Sequence, residues 1–374
     1  MGHAGYPPEV KAGASFHPRI ISRASGFLRL VCAALASLLL YGAVFGAVLD
    51  RPLEFGFLAH EINARLARAA TIHGPKLVIL AGSNGPYSHR CEVIEPMLDL
   101  PCVNGGVAVG IGLDYLFIRW EAQLHTGDAV YLPLEQQQYT ITAAASAMGP
   151  DAAIMFRHDW RTLGELPPKR WLAAFFAFDV RSAVMSVIEM SLVAARFHDP
   201  RAEDEGTSNA WGDHFGHTVA RGAANQAMIA AMTAPAVSAA SIRDGYGTGQ
   251  IGEFVTWARA HGVRVIGGLP TELDRMAPAE ATQAAIAAVF LAHGGDFLVL
   301  PNRSRYPIAA FFNTPLHLNE PCQIAHSIML ARALAALLGR PARAPPDSLA
   351  AMLANPPRAC PVVPIATALA LAPR

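Results

Sequence analysis

The chain has 374 residues, of which 52% are hydrophobic and only 16% are charged. This composition excludes a disordered chain, and the balance of 29 basic against 29 acidic residues argues against a nucleic-acid-binding protein. The length suits one large core with an insertion, or two domains. The mean hydropathy of +0.29 is high for a soluble enzyme and predicts a membrane segment.

The first predicted element is a transmembrane helix over residues 30–49, which contain no charged side chain. At about 1.5 Å per residue this segment spans roughly 30 Å, the thickness of the hydrocarbon core of a bilayer. A buried core helix and a cleaved signal peptide are the alternatives. Four basic residues and one acidic residue precede it, so the positive-inside rule predicts a cytoplasmic tail over residues 1–29. We expect a single span, with the rest of the chain outside the cytoplasm.

The cysteines are compatible with that location. One lies inside the predicted span, and the other four would lie where disulfides can form: Cys91, Cys102, Cys322 and Cys360. Cys322 and Cys360 are a candidate pair that would fasten the C-terminal segment. The chain has no Cys-X-X-Cys spacing, so the cysteines do not predict a zinc site.

Short buried-strand patterns alternate with helical patterns after the predicted span, which indicates an α/β fold. The strand patterns cover residues 76–80, 101–103, 128–132, 262–266 and, more weakly, 296–300. The helical patterns run from the end of the turn at residues 81–85 to residue 98, from 113 to 124 and from 252 to 261. We expect a three-layer α/β/α sandwich with a mostly parallel, flavodoxin-like sheet over residues 50–340.

The alternation breaks between about residues 140 and 250, which predicts a helical insertion in the sheet domain. Helical patterns lie near residues 171–176 and 180–197, and a polar loop follows over residues 198–216. Such an insertion can form a lid or a wall over a site. Residues 341–374 are rich in proline and are expected to form an extended C-terminal extension.

Polar turns occur at three points where this architecture binds ligands or where a helix begins. Ser83 lies in the turn AGSNG after the first strand, and Asn104-Gly105-Gly106 follows the second. His317 comes shortly before a late helix. A serine that attacks, a histidine that accepts its proton and backbone amides that stabilise an oxyanion form an acyl-transfer set. A purely structural turn and a structural histidine are the alternatives.

Four segments, in this order, resemble the SGNH (GDSL-like) hydrolase superfamily, and in particular its membrane-anchored bacterial members associated with acylation of the envelope or of exopolysaccharides. The segments are KLVILAGSNGPYSHRCEVIE, LPCVNGGVAVGIGLDYLF, TGDAVYLPLEQQQY and FFNTPLHLNEPCQ, spread over residues 76–323. The resemblance implies that Ser83 is the nucleophile, that His317 is the catalytic histidine and that the amides of Ser83 and Gly106 form the oxyanion hole. Residues 209–213 (NAWGD) resemble a linker element of the anchored proteins.

Two positions depart from the family pattern. The family usually has an aspartate shortly before the histidine, where this chain has Asn313. Asparagine can orient the ring but does not stabilise an imidazolium by charge, and the corresponding change lowers turnover about 10⁴-fold in a serine protease. The family's third-block asparagine is also missing, because residues 133–136 read PLEQ. Asp296 is a remote candidate to replace the missing aspartate beside His317.

Several weaker patterns complete the candidates. Four polar residues near the turns are candidate substrate contacts: Asn84, Asn104, Glu135 and Gln136. The amides and the ring of residues 136–139 would suit a sugar. The histidines and acids of residues 198–217 fit no standard metal-ligand spacing, and the glycines of residues 105–110 are a weak match to a dinucleotide loop.

We therefore expect a membrane-anchored SGNH-like acyl esterase or O-acyltransferase that acts on a polysaccharide through a Ser-His mechanism, with acetyl as the expected acyl group and with no metal or organic cofactor. It would be a single-pass protein of the bacterial inner membrane with most of its chain in the periplasm. The resemblance implies a membrane-bound acyltransferase as partner. The alternatives are a catalytically impaired accessory protein, which binds glycan or scaffolds a synthesis complex, and a nucleotide-binding protein.

Overall fold

The structure is a computed structural model. It describes residues 18–49, 54–176, 208–349, 358–360 and 369–371, with eight helical or turn positions between 184 and 195. The chain divides into an N-terminal unit, which ends at Val48, and a second unit, which begins at Leu49.

The N-terminal unit contains helix α1 (Pro18–Leu49). The predicted helix over residues 30–49 is confirmed, although it begins earlier, at Pro18. Residues Ser25–Val44 are long and apolar enough to cross a membrane, and none of them is buried. Length and composition therefore suit a transmembrane span or a signal anchor. A second apolar helix of similar length, Glu320–Leu338, is two-thirds buried (67%), as the core helix of a globular unit is.

The second unit is built on a six-stranded sheet. Eight strands are described: β1 (Leu77–Ile79), β2 (Cys102–Asn104), β3 (Ala129–Leu132), β4 (Arg264–Gly268), β5 (Glu272–Leu273), β6 (Asp296–Val299), β7 (Arg305–Tyr306) and β8 (Leu369–Leu371). The main sheet has the order β2-β1-β3-β4-β6-β8, in which the first five strands are parallel and β8 is antiparallel. A mixed α/β fold with a mostly parallel sheet is therefore confirmed. Strands β5 and β7 form a separate two-stranded parallel pair.

Helices connect the strands and supply the rest of the unit. They are α2 (Glu54–Thr71), α3 (Asn84–Ser88), α4 (Cys91–Leu98), α5 (Leu113–Glu121), α6 (Gln136–Thr140), α7 (Ala143–Ala147), α8 (Pro150–His158), α9 (Trp160–Glu165), α10 (Pro168–Phe176), α11 (Val219–Gly222), α12 (Gln226–Ala231), α13 (Ala239–Arg243), α14 (Tyr246–Ala260), α15 (Glu280–Ala292) and α16 (Glu320–Leu338). The helical stretch predicted between the turn at residues 81–85 and residue 98 is two helices, α3 and α4, and α3 begins within that turn, at Asn84. Most of the helix predicted over residues 180–197, and residues 198–207 of the predicted polar loop, lie outside the described residues.

Side chains of the central strands alternate between two hydrophobic clusters. Val78 and Val130 belong to a cluster that also contains residues of α5, α14 and α15. Leu77 and Tyr131 belong to the other, which contains residues of α4 and α16. Because side chains of a strand point alternately to opposite faces, helices cover both faces of the sheet. This double burial explains why the strands read as continuous apolar runs.

Disulfides and the C-terminal segment tie distant elements together. The predicted pair Cys322–Cys360 is present, and a second disulfide joins Cys91 at the start of α4 to Cys102 at the start of β2. Strand β8 pairs with the outer edge of β6. This pairing was not predicted, because residues 341–374 were expected to form an extended segment without a strand. The extension thus contributes a strand that covers an edge of the sheet.

Candidate active site

The turn after β1 holds Ser83 at the carboxyl edge of the sheet. The amide of Gly85 donates to the carbonyl of Gly82 at 3.0 Å, so the chain reverses within three residues and enters α3. A Cβ on Gly82 would lie 2.8 Å from Glu135 Oε1 and 2.9 Å from Val109 Cα. Only glycine fits this gap, and the close packing fixes the position from which the Ser83 side chain projects.

Ser83, His317 and Asn313 form a hydrogen-bonded chain. His317 Nε2 lies 2.8 Å from Ser83 Oγ, and His317 Nδ1 lies 2.7 Å from Asn313 Oδ1. An amide oxygen can only accept, so it requires a hydrogen on Nδ1 and leaves Nε2 free to accept from the serine hydroxyl. The ring is therefore in the tautomer that a general base for Ser83 needs.

A short turn positions the histidine. The amide of Phe312 donates to the carbonyl of His317 at 2.9 Å, which closes the turn that contains both Asn313 and His317. Thr314 Oγ1 accepts from the amides of Leu316 and His317 at 3.3 and 3.2 Å. These bonds explain why a residue four positions before the histidine reaches the far side of its ring.

Aromatic rings bury the histidine, which is 7% exposed. Tyr87, on α3, stacks on the His317 ring with 4.3 Å between centroids, and His214 stacks on Tyr87 at 4.4 Å. Desolvation, followed by the nearby His214 and His217, lowers the pKa of His317 to about 3. The imidazole is accordingly neutral at physiological pH and available as a proton acceptor.

Gly106 lies against the serine turn. A Cβ at this position would be 2.8 Å from the Gly82 carbonyl oxygen and 2.9 Å from Gly85 Cα. Its amide makes a long contact of 3.4 Å with Asn104 Oδ1. The close approach of two glycine-rich turns brings backbone amides to the neighbourhood of Ser83, as an oxyanion hole requires.

Asn84 and Asn104 were predicted to contact substrate, but in the structure both side chains are bonded within the protein. Asn104 is fully buried, and its amide nitrogen lies 3.0–3.1 Å from the carbonyls of Gly85 and His89 and from Asp213. Asn84 is also fully buried and donates to the Pro133 carbonyl at 2.9 Å. Both side-chain NH2 groups donate to the protein and both residues lie outside the cavity lining, so the two side chains support the turns.

Asp213 is a structural residue of the site that the sequence did not reveal. Its buried carboxylate accepts from the amides of Cys91 and Glu92, at 2.8 and 3.0 Å, and from Asn104 at 3.1 Å. It therefore caps α4 and holds the second turn. The carbonyl of Trp211 accepts from the Asn104 amide at 2.8 Å. The NAWGD segment is thus a clamp that joins the start of α4 to the glycine turn after β2.

Asp296 does not serve His317. It is the first residue of β6, at the amino edge of the parallel sheet, whereas Ser83 follows the carboxyl end of β1. Its carboxylate accepts from Arg264 Nε at 2.6 Å. The expectation of a replacement acid at Asp296 is therefore wrong, because the residue lies at the opposite edge of the sheet and Asn313 occupies the ring nitrogen.

Two buried carboxylic acids and a buried glutamine line the same cavity as Ser83 and His317. Gln136 donates to both carboxylate oxygens of Glu272, at 2.9 and 3.0 Å, and Gln137 donates to Glu135 at 3.0 Å. Desolvation raises the pKa of Glu135 to about 7 and that of Glu272 to about 8. Glu135 and Gln136 were predicted contacts; Glu272 was missed because β5 is too short to show a pattern.

A cavity of about 560 Å³ opens at Ser83 and His317. Glu135, Gln136 and Glu272 also line it. The loop after α12, residues 231–235, contributes part of the lining, so the region predicted as a helical insertion supplies a wall of the cavity. Ser83, His317 and a set of polar groups thus share one concave site of a size usual for ligand pockets.

The described part of the chain contains no group of three or more His, Cys, Asp or Glu residues that could hold a metal ion. Comparison of the chain with family models, with curated proteins and with solved structures found no match to any of them. The superfamily resemblance therefore rests on the four segments and on the chemistry of the site.

Proposed function

We propose that this chain is a membrane-anchored SGNH-like acyl esterase or O-acyltransferase that acts outside the cytoplasm on a polysaccharide. The observation that carries the proposal is the distance of 2.8 Å between Ser83 Oγ and His317 Nε2. The proposed fold is a flavodoxin-like three-layer sandwich. It is supported by the strand order β2-β1-β3-β4-β6, which corresponds to the flavodoxin order when only strands of the main sheet are counted.

In the first half-reaction, Ser83 Oγ attacks the ester carbonyl carbon and its proton passes to His317 Nε2. The amides of Ser83 and Gly106 stabilise the negative charge on the carbonyl oxygen. The bond between the carbonyl carbon and the leaving oxygen then breaks, and His317 returns the proton to that oxygen. The products are a free alcohol and an acyl group on Ser83.

In the second half-reaction, a hydroxyl gives its proton to His317 and attacks the acyl carbon. Water as acceptor gives an esterase, and a sugar hydroxyl gives an O-acyltransferase. Ser83 leaves and recovers the proton from the ring. Asn313 orients the imidazole through both steps but adds no charge to the imidazolium, so its contribution is smaller than that of an aspartate.

The location is proposed from three observations. Helix α1 is apolar and long enough to span a bilayer, and the residues before it are mainly basic. The second unit contains two disulfides, which persist in oxidising compartments. We therefore assign the chain to the bacterial inner membrane with its sheet unit in the periplasm, where a membrane-bound acyltransferase is the proposed partner.

The second candidate function is a non-catalytic accessory protein that binds glycan or scaffolds a synthesis complex. It is favoured by Asn313, because the imidazolium formed during catalysis has no carboxylate beside it. It is also favoured by the strong desolvation of His317, which makes the charged ring costly. Both features would slow the attack of Ser83 on an ester. The esterase and the accessory protein are therefore distinguished by whether Ser83 reacts at all.

A serine-reactive fluorophosphonate probe separates the two functions. The full chain in detergent should become labelled, and labelling should be lost in Ser83→Ala and strongly reduced in His317→Ala. Ser348→Ala, which removes an exposed hydroxyl that does not line the cavity, is the matched control and should label normally. Absence of labelling in a folded native chain would favour the accessory protein.

A further inference from the structure

The lining of the cavity beside Ser83 is largely apolar. Its apolar members come from four separate segments and include Val109, Met232, Pro235, Pro270, Met276 and Leu316. An acetyl group has three heavy atoms, and at about 30 Å³ for a water-sized group it fills roughly a sixth of the 560 Å³ cavity. An acetyl ester alone would leave most of this apolar surface in contact with water.

Hydrogen bonds hold the apolar segments in place. Arg275, next to Met276, donates through Nη2 to the carbonyls of Ile229 and Ala230 at 3.0 and 2.9 Å, which ties the loop at Met232 to the segment after β5. The Leu316 carbonyl accepts from Ser88 and Thr271 hydroxyls at 2.9 and 2.8 Å. The lining is therefore built before a ligand arrives, and it is continuous with His317.

We infer that the apolar part of this cavity binds the acyl chain of the ester that Ser83 attacks, and that this chain has about six to ten carbons. The inference rests on the proposed function and names its substrate class. Two properties select this occupant over a sugar. The surface shared with Ser83 is mostly carbon, and the polar residues Glu135, Gln136 and Glu272, which line the same cavity, would face a hydroxyl-bearing acceptor or leaving group.

The first experiment measures kcat/KM of the full chain in detergent for p-nitrophenyl esters from acetate to dodecanoate. Each buried methylene is worth about fourfold in rate, so octanoate should exceed acetate by at least about 50-fold after allowance for incomplete burial. A flat series, or a preference for acetate, would overturn the inference.

A pair of variants locates the effect in the cavity. Met232→Asp introduces a charge into the lining and should reduce the octanoate-to-acetate ratio about tenfold or more. Met228→Asp is the matched control, because Met228 lies one helical turn earlier, is 49% exposed and is not part of the lining. Equal ratios in the two variants would contradict the assignment.

A binding measurement separates this inference from the proposed function. A fluorescent decanoyl probe should bind Ser83→Ala, should be displaced by octanoate but not by acetate, and should bind poorly when Met232→Asp is added. If fluorophosphonates label Ser83 equally at all chain lengths and the probe does not bind, the inference fails while the esterase stands. If the probe binds but Ser83 never reacts, the chemistry fails and the acyl site stands. Displacement by an oligosaccharide instead of octanoate would assign the cavity to the glycan and overturn the inference.

Discussion

The ring of Tyr87 lies parallel to the imidazole of His317, with 4.3 Å between the centroids and 6° between the planes. The stack removes water from one face of the ring. Desolvation is the main reason why the pKa of His317 falls from 6.5 to about 3. Tyr87 therefore contributes to the burial that lowers the pH at which the proposed base becomes charged and stops accepting the proton of Ser83.

Replacement of Tyr87 by alanine should move the acid limb of activity. Hydration of the exposed ring raises the pKa of His317 towards 6.5, and a base must be neutral, so reactivity should fall as the pH drops through that value. The native chain should keep its reactivity to about pH 4. The measurement is the rate of Ser83 labelling between about pH 4 and pH 8. Tyr87→Phe keeps the stack and should follow the native profile; an unchanged profile in Tyr87→Ala would contradict the role.

Asn313→Asp should accelerate the reaction. A carboxylate at the position of Asn313 Oδ1, 2.7 Å from His317 Nδ1, would stabilise the imidazolium that forms when Ser83 attacks. We expect kcat to rise at least about tenfold, within the limit of about 10⁴ that such a change has in a serine protease. Asn313→Ala, which leaves Nδ1 without this acceptor, should be slower than the native chain. A slower Asn313→Asp would show that the proton does not pass through His317.

Gly106→Ala should abolish reactivity, whereas Gly110→Ala should preserve it. A Cβ on Gly106 would meet the Gly82 carbonyl oxygen at 2.8 Å and push the two turns apart, which displaces the oxyanion amides. Loss of one such donor costs about 10²–10³ in kcat. A Cβ on Gly110 would meet only Pro150 Cδ, at 3.4 Å, which is ordinary contact. The labelling rates of Gly106→Ala and Gly110→Ala test this prediction, and thermal melting verifies that both variants fold. Equal labelling rates would contradict the role of Gly106 in the oxyanion hole.

Asp213→Ala should destabilise the sheet unit. Without the carboxylate, the buried amides at the start of α4 and the Asn104 side chain lose an acceptor, which costs about 2–4 kcal/mol in the free energy of unfolding. Glu165→Ala removes a carboxylate of an exposed pair with Arg161 and should cost less than about 0.5 kcal/mol. Urea unfolding measures both. A cost below about 1 kcal/mol for Asp213→Ala would contradict its role as a clamp.

The sheet could be predicted because its strands are buried on both faces. A strand with apolar neighbours on either side reads as an uninterrupted run such as KLVIL, and this signal is local. The break between α3 and α4 could not be predicted, since it depends on Asp213, more than a hundred residues later, which caps α4 from outside. The strand β8 was missed for a similar reason: its pairing with β6 is entirely non-local.

The proximity of Ser83 and His317 could be expected from the segments in which they occur, whereas the residues that support them could not be predicted. Ser83 and His317 belong to recognisable segments, whereas Tyr87 and Glu272 carry no pattern that distinguishes them from other buried residues. Asn104 was predicted in the right turn but in the wrong role, because sequence does not tell whether an amide faces the cavity or the protein. Its bonds to Gly85 and Asp213 determine the answer.

Ser83 and His317 are separated by 234 positions, so their hydrogen bond closes one of the longest loops in the protein. Contacts of this range form late, since much of the chain must be ordered before the two segments meet. A nascent or interrupted chain would therefore be chemically silent towards esters in its surroundings. The time course with which Ser83 reactivity returns after dilution from denaturant would measure the completion of folding, independently of any spectroscopic signal.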